Sequence, residues 1–276
     1  MHSPVSAVPG MRWADRERNK LGLQRQGSTI PAFFLFPLRS CNPQLIDILF
    51  LKSMKIKRGE SVMERSFQDR TSWYDGYLYE KIMGSMANEM FVRPISGFIE
   101  SGSSVIDIGC GIGSLVLELS NKCSKIIGID VSSRMIAYAK KRLMKKKISN
   151  VEFHHLCASL LPEVFSDSFD YAVMSQILHE ISEELRNIVI ASVKEVARTL
   201  IIADYISPLP KDGYGRMIQF VELLAGSEHN RNFKSWQSHG GLDGFLSHNR
   251  LKAIQVTPYQ LKGRNIGIGK IVKVSY

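Results

Sequence analysis

The stretch Val105-Ile106-Asp107-Ile108-Gly109-Cys110-Gly111-Ile112-Gly113 decides the fold of this 276-residue chain. Its first four residues predict a short buried strand, and three glycines follow within the next five positions. Glycines at such a turn let the backbone approach a ligand closely, and the start of the following helix offers free N–H groups to it. The stretch therefore predicts a strand–turn–helix unit that binds a nucleotide.

Two acidic residues narrow the kind of nucleotide. A dinucleotide fingerprint has its third glycine at position 114, which is Ser114 in this chain. Asp107, inside the strand, would repel a pyrophosphate but pairs well with an ammonium group. Asp130 ends the next predicted strand, 21 residues after Gly109, where a carboxylate accepts both hydroxyls of an adenosine ribose. The expected ligand therefore carries a cation at one end and a ribose at the other, unlike NAD.

Strands and helices alternate along the rest of the chain. Further strands are predicted at 125–129, 151–155, 169–174, 199–205, 251–258 and 266–274. Helices are predicted at 77–91, 92–100, 114–121, 133–146 and 215–225, with one more that Ser182 caps. This alternation indicates right-handed crossovers and a mainly parallel sheet. The last two strands have no room for a helix between them, so they are expected to be antiparallel.

The segment from Asp107 to Gly113 resembles the D-x-G-x-G-x-G motif of class I S-adenosylmethionine-dependent methyltransferases. The resemblance continues through Asp130, 161–162 and 168–170 to 175–180, and it covers the chain from residue 77 to the C-terminus. It implies an α/β, Rossmann-like fold with helices on both faces of a seven-stranded, mostly parallel sheet. The implied strand order is 3-2-1-4-5-7-6 with the last strand antiparallel, and the implied cofactor is S-adenosylmethionine.

The resemblance also implies how the cofactor is held. Backbone at Gly109, Cys110 and Gly111 would contact its methionine part, and Asp107 would face the amino group. Asp130 would hold the ribose, and Val131 would pack on the adenine. The other expected cofactor-binding positions are Gly113, Cys157, Ala158 and Ser175.

Cys157-Ala158 departs from the family, whose members often have Asp-Ala at this place. The aspartate accepts a hydrogen bond from the adenine amino group, and a thiol is a weak acceptor. Either Ser159 or the backbone takes that role, or affinity for the cofactor is lower. Cys157 is equally well explained as a small buried residue.

The methyl acceptor is less marked in the sequence, because in-line displacement needs mainly positioning and, for O–H acceptors, removal of a proton. Residues 175–178, Ser-Gln-Ile-Leu, lack the Asn- or Asp-Pro-Pro-aromatic tetrapeptide of amino methyltransferases that act on bases, and no Pro-Cys nucleophile is present. We expect a small organic acceptor, methylated at oxygen or carbon. The alternatives are an RNA or protein methyltransferase that docks through basic surface, and a cofactor-binding protein without turnover.

His179 and Tyr205 are the candidate catalytic residues, because both lie at the carboxyl edge of the predicted sheet, where α/β proteins bind ligands. His179 is read either as a general base or as a histidine that bonds structure or lines the cofactor pocket. The segment 228–233 is either a lid over the acceptor or a solvated loop. No metal is expected, since the four cysteines have no zinc spacing. The candidate acceptor-binding residues are Tyr74, Tyr77, His229 and Arg231.

The net charge of +10 is unevenly distributed. Residues 1–60 hold 10 basic and 4 acidic residues, whereas the other 216 hold 26 and 22. We predict that 1–53 is a poorly structured basic extension, or lies upstream of a natural start at Met54 or Met63. A helical cap at 54–103 and the cofactor-binding domain at 104–276 would follow. The basic residues of 140–147 are read as a solvated helix end rather than an RNA site, so no nucleic-acid partner is expected.

The remaining expectations concern location and assembly. No apolar stretch approaches the ~20 residues of a membrane span, so none is expected. Unpaired cysteines favour a cytoplasmic protein. The chain is expected to act as a monomer or a homodimer.

Overall fold

The computed structural model describes residues 69–72, 75–166 and 168–276, which lie within one compact unit, Asp47–Tyr276. The predictions about 1–53 and about Tyr74 fall outside the described residues. The predicted helical cap at 54–103 is described from residue 69 onward, without 73–74.

The described residues form seven strands and nine α-helices. The strands are β1 (Ser104–Ile108), β2 (Lys125–Asp130), β3 (Val151–His155), β4 (Phe169–Ser175), β5 (Ala197–Tyr205), β6 (Lys252–Leu261) and β7 (Arg264–Ser275). The helices are α1 (Tyr77–Ala87), α2 (Arg93–Phe98), α3 (Ser114–Leu119), α4 (Ser133–Met144), α5 (Leu161–Val164), α6 (Glu183–Val196), α7 (Gly213–Leu224), α8 (Ser227–Ser238) and α9 (Gly241–His248). A π-helical turn, Asn88–Val92, joins α1 to α2, and a 3-10 turn, Ala158–Leu160, precedes α5.

The strands form one sheet in the order β3-β2-β1-β4-β5-β7-β6. The pairs among β1 to β5 are parallel, and β7 runs antiparallel to both β5 and β6. The predicted Rossmann-like topology, with its antiparallel last strand, is confirmed. In the register, Ile108 pairs with Ile129 and Met174, so β1, β2 and β4 end side by side at one edge.

The central strands are apolar because both of their faces are covered. Ile106 of β1, Val173 of β4 and Ile201 of β5 have no exposed surface. Helix α4 packs on β2 and β3, whereas α6 and α9 pack on β5. Continuous apolar strands of this kind are typical of parallel sheets with helices on both faces.

The region after α7 differs from the prediction. The predicted loop or lid at 228–233 is wrong as a loop, because these residues belong to α8. Its apolar face consists of Phe233 and Trp236, which are buried three positions apart, and the Trp236 indole donates to the Tyr205 carbonyl at 3.0 Å. Two large aromatic side chains on one face anchor a helix whose other residues are mostly polar, so its average composition resembles that of a loop.

The two predicted N-terminal helices form one continuous helical run that ends two residues before the predicted end at 100. The predicted break between 91 and 92 is bridged by the π-helical turn, and the helical run ends at Phe98. This turn packs against β6 and α3, and α2 packs against β5 and β7. None of the helices among the described residues combines the length and apolarity that crossing a membrane requires.

Phe153 of β3 fills the space beneath the glycine-rich turn. A Cβ added to Gly113 would lie 2.4 Å from Cζ of this ring. A Cβ on Gly128 of β2 would lie 2.8 Å from its Cδ1 and 2.9 Å from the Cys110 Sγ. Glycine at both positions therefore lets the ring pack directly against the backbone of β2 and of the turn.

We expect Gly128→Ala to lower the free energy of unfolding by about 1–3 kcal/mol, because the added methyl overpacks the space held by Phe153. Chemical denaturation of Gly128→Ala, Phe153→Leu and the double variant measures the effect. The double variant is expected to lose at least ~0.5 kcal/mol less than the sum of the two single losses, since leucine lacks the ring Cε1 that would lie 2.9 Å from the added methyl. Strictly additive losses would show that the two residues do not compete for this space.

Candidate functional site

The glycine-rich turn lies between β1 and α3 and has a left-handed backbone at all three glycines. The φ angles of Gly109, Gly111 and Gly113 are 70°, 53° and 74°. A Cβ on Gly109 would lie 2.3 Å from the Ile177 Cγ2, whereas a Cβ on Gly111 meets no atom within 4 Å. The turn is therefore packed against protein at its ends and open at Gly111, where a ligand can approach the backbone.

Asp130 fastens this turn to the end of β2. Its Oδ2 accepts from the backbone N–H of Gly111 at 2.8 Å, and its Oδ1 accepts from the N–H of Ser132 at 2.8 Å. Burial raises the pKa of Asp130, and these two hydrogen bonds act in the opposite direction. Each carboxylate oxygen keeps a second lone-pair position, so Asp130 can still accept from two hydroxyl groups of a ligand.

Asp107 is a buried acid in the middle of the sheet, with a residue exposure of 3%. Burial, and secondarily the charge of Asp130, raises the pKa of Asp107 to about 8. The carboxyl group is therefore largely protonated at neutral pH. A cation placed beside it would favour the ionised form, because an opposite charge in a buried site lowers the pKa of an acid.

The other predicted cofactor-binding residues lie around the same edge of the sheet. Cys110 is buried, and its backbone N–H donates to the Ile129 carbonyl at 2.9 Å. Val131 and Ser175 are half-buried at the ends of β2 and β4. Cys157 precedes the 3-10 turn that buries Ala158, and its Sγ accepts from the Ser159 hydroxyl at 3.2 Å. Cys157 and Ser159 are thus hydrogen-bonded to each other.

The loop after β4 carries His179 and Glu180 and is held by side chains from three elements. Asp204 of β5 accepts from the backbone N–H groups of Leu178, at 3.0 Å, and His179, at 3.3 Å. The buried Arg186 guanidinium of α6 donates to the Leu178 carbonyl at 2.7 Å. Asn232 of α8 donates to the Glu180 carbonyl at 2.7 Å. These bonds fix the positions of His179 and Glu180 relative to the sheet.

Gln176 begins this loop with a left-handed backbone, φ 60°, which costs a non-glycine residue free energy. Its N–H donates to the Ala203 carbonyl at 2.8 Å, and its side-chain amide donates to the Tyr259 hydroxyl at 2.7 Å. The sharp turn brings Ile177 onto Gly109. The loop and the glycine-rich turn are therefore in direct contact.

His179 is the centre of a buried polar cluster. Its Nδ1 lies 2.8 Å from the Asp204 Oδ1, and its Nε2 lies 3.7 Å from the Glu222 Oε1. Burial alone would lower the pKa of His179, but Asp204 and then Glu222 raise it to about 9. The ring is therefore an imidazolium at neutral pH, held between two carboxylates.

Glu222 joins the cluster from α7. This residue is only 4% exposed. Its carboxylate contacts the His229 Nε2 and accepts a hydrogen bond from the Tyr205 hydroxyl. Burial would raise the pKa of Glu222, but the hydrogen bond from His229 and the charge of His179 lower it. Phe233 closes the cluster, with its ring centroid 6.1 Å from that of His179.

Residues 69–72, which we name the strap, contact residues near the end of β2 and at the start of α8. The Arg70 N–H donates to the Val131 carbonyl at 3.2 Å, and the Asp69 carboxylate accepts from the Ser133 hydroxyl at 2.6 Å. The Arg70 guanidinium lies 3.3 Å from the Glu228 carboxylate of α8. The strap therefore lies beside the end of β2, and its Arg70 side chain reaches the start of α8.

The predicted site residues are distributed as follows. His179, Tyr205 and His229 come together in the cluster. Arg231, two positions after His229, is exposed, and Tyr77 is 64% exposed on the side of α1 near Tyr138. The structure thus does not bring Arg231 or Tyr77 to the cluster.

Asp204 and Glu222 are site residues that the sequence pattern does not single out. Asp204 carries a signal of the same kind as Asp107, since it is an acid that directly follows the apolar residues 200–203 of β5. Glu222 carries none, because it lies on a helix that exposes apolar residues such as Phe220 and Leu224. Its burial follows only from how α7 packs.

The profile of the methyltransferase domain family matches residues 99–237. Two uncharacterized methyltransferases of Schizosaccharomyces pombe are similar. One is 28% identical over 177 residues, covering 60% of this chain and 59% of that protein, and the other is 35% identical over 103 residues, covering 37% and 38%. The chain thus spans less than two thirds of the length of these relatives.

The fold has a counterpart among solved structures. The crystal structure of the PH0226 protein from Pyrococcus horikoshii superimposes with a TM-score of 0.52 at 16% identity, covering 79% of this chain and 99% of that one. At this identity the similarity shows the shared fold alone.

Asp107 gives a prediction about stability and pH. A raised pKa in the folded state means that the native protein binds a proton that the unfolded chain has already released above pH ~4. The free energy of unfolding of the ligand-free protein should therefore fall as pH rises from ~4 to 8, by up to ~1.4 kcal/mol per pH unit from this group.

Denaturant unfolding of the wild type and of Asp107→Asn between pH 5 and 7 measures this contribution. The amide does not titrate, so the variant should lack that part of the slope. Parallel curves for the two proteins would refute the assignment. The wild type with its ligand bound should also show a shallower slope than the free protein.

Proposed function

The chain belongs to the methyltransferase domain family, of the class I S-adenosylmethionine-dependent type, and we propose that it methylates a small organic acceptor at oxygen or carbon. The observation that carries the proposal is the contact of Ile177 with Gly109. It places the buried cluster around His179 beside the glycine-rich turn that receives the cofactor. A buried polar cluster adjacent to the methyl donor favours a small acceptor.

The residues of the turn fit S-adenosylmethionine. Gly111 leaves its outer side open to the methionine part, Asp107 offers a buried carboxyl to the ammonium group, and Asp130 keeps lone pairs for the ribose hydroxyls. When bound, the cofactor supplies an electrophilic methyl group on a sulfonium centre. The task of the chain is then to orient the acceptor, to exclude water and to accept a proton from an O–H or C–H acceptor.

His179 lies in the buried cluster on the proposed acceptor side of the site. It is 2% exposed, and both ring nitrogens face carboxylates, which favours the structural alternative over that of a general base. The Tyr205 hydroxyl likewise donates to Glu222. Both residues are proposed as positioning residues. The groups that reach the acceptor are the exposed Glu180 carboxylate and the half-buried His229 ring.

The strap supports an acceptor of limited size. Arg70 connects Val131, where the adenine is expected, with Glu228, at the start of the helix that carries His229. An arginine side chain that bridges the proposed cofactor side and the proposed acceptor side narrows the way in. Small molecules pass such an opening more easily than a folded RNA or a protein surface does.

We also propose that the enzyme works in the cytoplasm, as a monomer or a homodimer. Cys110, Cys123 and Cys157 are free thiols, which supports a reducing environment. Cys41 lies outside the described residues.

Asp130→Ala should weaken S-adenosylmethionine binding by about 1–3 kcal/mol, because it removes the ribose acceptor and the hydrogen bond that holds Gly111. Isothermal titration calorimetry measures the change. Asp170→Ala is the matched control, since its carboxylate accepts from Ser104 at 2.9 Å at the opposite edge of the sheet. The control should lose stability and keep its affinity. Equal affinities for wild type and Asp130→Ala would contradict the ribose assignment.

Transfer of a labelled methyl group tests the acceptor class. The enzyme is incubated with methyl-labelled S-adenosylmethionine and an extract of its own organism that has been separated into small molecules, RNA and protein. We expect label in the small-molecule fraction. Label only in RNA or protein would overturn the acceptor proposal and support docking of a macromolecule. Tight cofactor binding with no transfer to any fraction would instead indicate a binding protein.

A further inference from the structure

Three side chains at the mouth of the buried cluster converge on one point. One ring nitrogen of His179, one ring nitrogen of His229 and one carboxylate oxygen of Glu180 all lie within 4.8 Å of one another. His179 and Glu180 come from the loop after β4, and His229 comes from α8. Glu180 and His229 are 49 positions apart in the chain, so no short sequence spacing predicts this group. Two imidazoles and a carboxylate are a common ligand set for divalent metal ions.

The surroundings orient these ligands as in metal sites. The Nδ1 of His179 is engaged by Asp204 at 2.8 Å, so the ligand atom would be Nε2, which lies 3.7 Å from the Glu222 Oε1. Glu222 engages the His229 Nε2 in the same manner. Histidines that bind metals commonly donate their other ring N–H to a carboxylate, which fixes the ring and raises its basicity. Both histidines of this cluster have such a partner.

The charge of the cluster also suits a divalent cation. Asp204, Glu222 and Glu180 bring three carboxylates to two histidines. A buried group of negative charges is stable only when positive charge lies beside it. One divalent ion bound between the two imidazoles would provide that charge.

We propose that His179, Glu180 and His229 bind a divalent first-row transition-metal ion, with Asp204 and Glu222 orienting the histidines. Three protein ligands leave coordination positions for water or an acceptor oxygen, as in catalytic metal sites. An oxygen bound there would lose its proton more readily. That last role rests on the proposed function, whereas binding of the ion does not. The expectation of no metal came from cysteine spacing, which cannot report this site.

Metal binding is measured directly on the full chain, after chelator treatment and without cofactor. Co²⁺ is added, and the visible d–d absorption is followed together with calorimetric titration by Zn²⁺. We expect one equivalent to bind. Glu180→Gln and His229→Ala should each weaken binding at least ~10-fold. His239→Ala is the matched control, because His239 is an exposed histidine at the end of the same helix.

If His229→Ala folds poorly, Glu180→Gln still tests the proposal, since the Glu180 side chain is exposed. Circular dichroism can confirm that the Glu180→Gln protein is folded. Absence of stoichiometric Co²⁺ binding by the wild type would overturn the proposal. Binding that is unchanged in both variants, or lost in His239→Ala, would overturn it as well. Calorimetry with S-adenosylmethionine on the same proteins separates the two claims, because Glu180 and His229 are not among the proposed cofactor-binding residues.

Discussion

The hydrogen bond from the Gly111 N–H to the Asp130 carboxylate is the constraint on which the site depends. It joins the turn after β1 to the end of β2, so the two neighbouring strands share one fixed edge. Without it, Gly111 would be held by little else, since a Cβ there would meet no atom within 4 Å, whereas Gly109 and Gly113 pack against protein. The second oxygen of Asp130 holds the Ser132 N–H, and the Ser132 hydroxyl in turn accepts from the Met135 N–H at the start of α4. One carboxylate thus orders both the turn and the start of the next helix.

Asp107 and Asp204 show two solutions to the same problem, an acid inside a parallel sheet. Asp204 is saturated by donors, since it accepts from the Leu178, His179 and Tyr205 backbones and from the His179 ring. Asp107 lies beside a second acid, Asp130, and burial raises its pKa to about 8. Fixed donors make the first acid a structural element. The second acid is poised for a cationic ligand, because only an added positive charge makes its ionised form favourable.

Much of the fold could be predicted because its signals are local. The apolar run of β1, the glycines and Asp130 lie close together in the chain, and they predict the cofactor side of the site. The antiparallel pairing of the last two strands, β6 and β7, follows from the short connection between them. Helix α8 could not be predicted in this way, because only Phe233 and Trp236 among its twelve residues are buried. The buried face of helix α7 is even harder to predict from the sequence, since this helix buries Glu222 and exposes Phe220 and Leu224.

The two sides of the site differ in predictability for a physical reason. The proposed cofactor contacts are made by backbone and by strand ends, which recur wherever the same turn forms, so a short motif identifies them. The proposed acceptor side is built by helices after β5 whose positions depend on packing, and its polar groups come together only in the folded structure. Glu222 has meaning only beside His179 and His229, which lie 43 positions before it and 7 after it in the chain. The sequence contains each of these residues but does not show that they lie together in the folded protein. The proposed acceptor side therefore has to be derived from the packing of α7 and α8 against the ends of β4 and β5.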